Sequence, residues 1–96
     1  MSDERVEMTA IITAKPEQRE QLKEALRRVV AETVKEPGCI EFRIFESLEQ
    51  PDKFVLWEVF ANRQALRDHI AKDYTQHYFA SGLMASTEVL KLRSFA

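Results

Sequence analysis

The chain has 96 residues, 45% of them hydrophobic and 31% charged, a composition that excludes a disordered or multidomain chain and leaves one compact domain over residues 1–96. Fourteen Lys and Arg against sixteen Asp and Glu give a net charge of −2, and the basic residues are dispersed, so the footprint of a phosphate-backbone binder is missing. No apolar run reaches the ~18 residues needed to span a bilayer, and the opening "MSDERVEM" is charged where a signal peptide is apolar. A cytoplasmic protein is expected. Cys39 is the single cysteine, which excludes an internal disulfide and is a poor start for a zinc site.

In chain order, the first five residues read as a flexible tail. "RVEMTAIITA", residues 5–14, mixes β-branched and apolar residues as a strand does. Lys15-Pro16-Glu17 then opens a helix expected over about 16–35, with Pro16 in its first turn and Leu22, Ala25, Leu26, Val29, Val30, Thr33 and Val34 on one apolar face. Pro37-Gly38 ends it, glycine permitting the reversal. "CIEFRIFES" (39–47) and "KFVLWEVFA" (53–61) read as a hairpin around Gln50-Pro51-Asp52. A second helical region starts at a cap on Asn62, breaks near Lys72-Asp73 and resumes to Ser81-Gly82; a last strand follows at roughly 85–95. The order is βαββαβ, and its economical solution is α+β: a ferredoxin-like antiparallel sheet with both helices on one face.

The third strand exposes a surplus. Phe54, Leu56, Glu58 and Phe60 point one way, Val55, Trp57 and Val59 the other, so both faces are apolar. Helices cover one of them. The other needs a second cover, most simply another copy of the chain. Glu58 poses a further question, since an ionised carboxylate among six apolar side chains is exposed, paired, or held with a raised pKa.

The segments "KEPGCIEFRIFES" (35–47), "FVLWEVFANRQALRDH" (54–69) and "HYF" (77–79) resemble the antibiotic biosynthesis monooxygenase (ABM) domain family of the dimeric α/β-barrel superfamily, and with the strand–helix opening the likeness covers nearly the whole chain. The resemblance implies two ferredoxin-like subunits joined through their sheets in a homodimer. It implies oxidation of a quinol or polycyclic phenol by dioxygen, with no metal or flavin cofactor. The haem-degrading branch of the family uses an asparagine on the first strand and a tryptophan on the second helical region; residues 5–14 hold no asparagine, and His69 falls where that tryptophan would.

Such chemistry needs a base, an apolar chamber and donors for the developing anion. His69, whose side chain exchanges protons near neutrality, is the candidate base, and Glu58 its partner. The bland alternative pairs Glu58 with Arg43 across the hairpin, or with His69 as an inert ion pair. Tyr74, Tyr78 and Phe79, with Phe42 and Trp57, are candidates for the pocket wall, although Phe42 and Trp57 also suit a core or an interface. His69, Asp73 and His77 stand at four-residue intervals, but on a continuous helix the two histidines are about 12 Å apart, too far to share a zinc ion. Cys39 reads as packing. Two other functions stay open: a non-catalytic small-ligand-binding or stress-related dimer, and an isomerase of a small hydroxycarbonyl compound.

Overall fold

The structure, a computed structural model, describes residues 4–96; the first three residues of the expected tail lie outside the described ones. Seven elements follow one another: β1 (Val6–Ala14), α1 (Arg19–Thr33), β2 (Cys39–Glu46), β3 (Lys53–Phe60), α2 (Arg63–Ala71), α3 (Asp73–Phe79) and β4 (Met84–Leu92). The strands form one antiparallel sheet in the order β2-β3-β1-β4, with the helices on one side. This is the expected ferredoxin-like arrangement, its second helical region divided in two.

Register decides which side chains meet the helices. Ala10 pairs with Leu56, Ile12 with Phe54, and Glu58 with Met8 on one side and Phe42 on the other. Directly opposite residues share a face. Leu22, Leu26 and Val29 of α1 recur every three or four residues and close on this face to make the core with Phe42, Phe54, Leu56 and Phe60. Each fully buried large side chain, such as Leu22, Phe54 or Phe60, contributes roughly 1.5–3 kcal/mol.

Two local expectations are corrected. The first helix starts at Arg19, not near Pro16, because Glu17 adopts a left-handed φ of 67° and the Gln18 N–H donates to the Lys15 carbonyl at 3.0 Å. Pro16 and Glu17 thus form a turn ahead of the helix. Gly38 does not use its conformational freedom, since Gly82, at φ 74°, is the one glycine with a positive φ. Its role is steric: a Cβ on Gly38 would stand 2.4 Å from the Ala65 Cβ on α2. The Ala61 N–H donates to the Gly38 carbonyl at 2.9 Å, and the Asn62 side chain caps α2 by accepting from the Ala65 N–H at 2.8 Å. The loop after α1 and the start of α2 are therefore locked together.

The opposite face of the sheet carries Ile11, Phe45, Val55, Trp57, Leu90 and Leu92, as the period of two requires. Phe45, Leu90 and Leu92 are exposed there, and β4 is open to solvent along nearly all of its length. No helix among the described residues is long and apolar enough to cross a membrane.

The close approach at Gly38 has a measurable outcome. Gly38→Ala is expected to lower stability by about 1–3 kcal/mol through overpacking. Urea unfolding should show Gly38→Ala/Ala65→Gly less destabilised than the sum of its single variants. Additive losses would mean that the two sites do not meet.

Candidate functional site

Four elements bring polar side chains towards the interior. Glu58 projects from β3 into the helix-facing layer, where its neighbours are Met8 and Phe42 on the adjacent strands and Leu56 and Phe60 on its own strand face. It is buried, and no hydrogen bond or ion pair reaches its carboxyl group among the described residues. Removal from water is the cause that raises its pKa from 4.5 to about 7. Of the three choices open to a carboxylate in this strand, Glu58 takes the third.

The expected partnership of Glu58 with His69 is corrected. The His69 Nδ1 stands 3.1 Å from Glu36 Oε2, and the Tyr74 hydroxyl donates to the same oxygen. Both members of the His69–Glu36 pair are almost fully buried. The imidazole packs against two aromatic rings, with Phe42 at 5.2 Å and Phe60 at 5.0 Å between centroids. Phe42 and Phe60 are also neighbours of Glu58, so the two polar groups flank the same rings without bonding to each other. The Arg43 alternative fails by strand alternation: Arg43 pairs with Trp57 on the open face and lies over the Phe45 ring at 5.4 Å.

Glu36 is the residue that sequence reasoning missed as a site. It lies 33 residues from His69 and 38 from Tyr74, and no spacing rule links them. Its only visible signal is its place just before Pro37-Gly38. The contact also depends on the break between α2 and α3. On one straight helix, side chains five residues apart point about 140° from each other, so His69 and Tyr74 could not both meet one oxygen. Lys72 is extended, at φ −63° and ψ 145°, and turns α3 so that they do.

The expected pocket-wall residues do not gather in one place. Phe42 is core, against His69. Trp57 faces the open side, its indole N–H donating to Glu7 at 2.8 Å. Phe79 is half exposed beside the Tyr78 ring. Tyr74 and Tyr78 line a groove of about 870 Å³ between α1 and α3, together with Ala25, Val29, His77 and Leu83. Neither Glu58 nor His69 lines it. Burial and then the bond to Glu36 raise the Tyr74 pKa, and burial pushes Tyr78 up to about 12. The Tyr78 hydroxyl is buried without a partner among the described residues, as are those of Thr33 and Thr75.

His69, Asp73 and His77 do not converge, since His69 turns to Glu36 while His77 borders the groove. Among the described residues, no group of three or more His, Cys, Asp and Glu side chains is arranged to hold a metal ion. Cys39 packs against the core, and its thiol is pushed up to about 11 by burial and by the carboxylates of Glu36, Glu41 and Glu58.

The sequence pattern described as antibiotic biosynthesis monooxygenase matches residues 5–81. The chain belongs to this family. An ABM-like fold recurs in solved structures: a Shewanella oneidensis protein is 29% identical, with a TM-score of 0.87 over 95% of this chain and 91% of that one. A Pseudomonas aeruginosa protein shares the fold at 24% identity and a TM-score of 0.91, over 100% and 98% of the two chains. An uncharacterized protein of Synechocystis sp. is 25% identical over 99% of this chain, and one of Bacillus subtilis is 35% identical over 51% of it. The ABM chain spans 66% and 47% of those two relatives' lengths.

The raised pKa of Glu58 fixes the sign of a pH effect. Between 4.5 and about 7 the folded state binds a proton that the unfolded state releases. Stability is therefore full below 4.5, falls as pH rises through about 7, and then levels. Urea unfolding is expected to show wild type losing on the order of 3 kcal/mol more than Glu58→Gln over that interval. Parallel profiles would remove the buried, unpaired carboxyl as a feature of the native state.

Proposed function

We propose that this protein is a monooxygenase that oxidises a quinol or polycyclic phenol with dioxygen and uses no metal or flavin. The observation that carries the reading is Glu58, an unpaired carboxyl in an apolar layer whose pKa of about 7 suits proton exchange at neutral pH. Membership of the antibiotic biosynthesis monooxygenase family supplies the reaction class.

Glu58 and His69 are the two proton-exchanging groups in this reading. His69 takes the phenolic proton, and the phenolate gives an electron to dioxygen. The resulting radical pair joins to a peroxide on a ring carbon and is protonated there. Glu58 then removes the hydrogen of that carbon, its electron pair closes the carbonyl, and the O–O bond breaks to release hydroxide, which leaves as water. One oxygen atom enters the product, and the substrate supplies all the electrons. Tyr74 is the expected wall residue tied to this site, through the Glu36 oxygen that it shares with His69.

A second copy of the chain covers the open sheet face in this proposal, supported by the exposed Phe45, Leu90 and Leu92 around half-buried Val55 and Trp57. A cytoplasmic setting belongs to the same reading and accords with the single unpaired cysteine. One observation favours a non-catalytic ligand-binding dimer instead: Phe42 and Phe60 already occupy the space beside His69.

The test is oxygen uptake, with chelator present, over a panel of reduced quinols and polycyclic phenols. Uptake above the autoxidation blank is expected, falling by about 10²- to 10⁴-fold in His69→Ala and Glu58→Gln. No uptake with any substrate would move the assignment to the ligand-binding dimer. For the sheet interface, Val55→Asp is expected to convert a dimer to a monomer in sedimentation velocity, because it sets a charge between Ile11 and Phe45. A monomeric wild type would sink that part of the proposal.

A further inference from the structure

We infer that Glu36 is a positioning residue that holds the His69 imidazole as its Nδ1–H tautomer, leaving Nε2 as the proton acceptor, while Tyr74 holds Glu36. The inference rests on the proton-exchanging role proposed for His69 and adds to it how that ring is oriented.

Side chains from two helices converge on one oxygen of the turn after α1. Glu36 follows α1, His69 lies on α2 and Tyr74 on α3, yet Glu36 Oε2 meets both His69 Nδ1 and the Tyr74 hydroxyl. An ionised carboxylate only accepts hydrogen bonds, so the ring nitrogen facing it must donate. A neutral imidazole has one N–H, so placing it on Nδ1 leaves a lone pair on Nε2. No hydrogen bond claims Nε2 among the described residues. Phe42 and Phe60 pack against the ring, with centroids at 5.2 and 5.0 Å.

Tyr74 restrains the carboxylate in turn. Phenol and imidazole share Oε2, which ties the side chain to α2 and α3 together. The geometry differs from an inert surface ion pair in two respects. Both partners are almost wholly buried, where a hydrogen bond to charge is strong, and the bond engages one ring nitrogen while leaving the other unengaged.

The test reads the tautomer directly and does not need the substrate. Long-range proton–nitrogen correlation spectra of the full-length protein, at a pH where His69 is neutral, should show the Nδ1–H form in wild type. Glu36→Gln should lose that preference and Tyr74→Phe should weaken it, with the fold checked by near-ultraviolet circular dichroism. With an oxidisable substrate, Glu36→Gln should lower kcat by roughly 10²-fold and leave KM nearly unchanged. An Nε2–H form in wild type, or a tautomer indifferent to Glu36→Gln, overturns the inference even if oxidation occurs and is lost in His69→Ala. A tautomer governed by Glu36 without oxidation of any substrate supports the positioning role and removes the oxygenase reading alone.

Discussion

The contact between Gly38 and Ala65 sets the distance on which the interior depends. With a Cβ at Gly38 only 2.4 Å from that of Ala65, the loop leaving α1 and the first turn of α2 approach as closely as two backbones with one methyl between them allow. Glu36 stands two residues before one side of this contact and His69 four after the other. Their 3.1 Å separation is the consequence of that approach, and neither residue has a local reason to find the other.

Two carboxyl groups in one small core behave differently because only one of them finds partners. Glu36 enters with partners from α2 and α3. Glu58 enters alone, walled by Met8, Phe42, Leu56 and Phe60, and meets the cost of burial by holding its proton more tightly. The fold thus holds one carboxyl group bonded to His69 and Tyr74 and another surrounded by apolar side chains.

Much of this was legible in the residues, and the boundary follows from physics. Strand alternation, the Pro-Gly stop and the Asn62 cap are local signals, and the strands, the sheet class, the end of the first helix and the start of the second follow from them. The burial of Glu58 was readable because its neighbours at two-residue spacing are apolar. Its supposed partner was not, because long-range pairing depends on how closely α2 docks and where α3 turns, quantities set by Gly38 and Lys72 that no periodicity encodes. The scattered pocket wall has another cause. Hairpin register places Phe42 opposite Glu58 and Arg43 opposite Trp57, so Phe42 and Trp57 lie on opposite sides of one sheet and could never line one chamber.

The lone thiol of Cys39 has a consequence for redox chemistry. With a pKa near 11, imposed by burial and by Glu36, Glu41 and Glu58, about one part in ten thousand is thiolate at neutral pH. Sulfenic acid formation starts from the thiolate, so the first rung of cysteine oxidation is nearly closed to it. Burial, reinforced by the neighbouring carboxyl groups, thus keeps this thiol in its unreactive form.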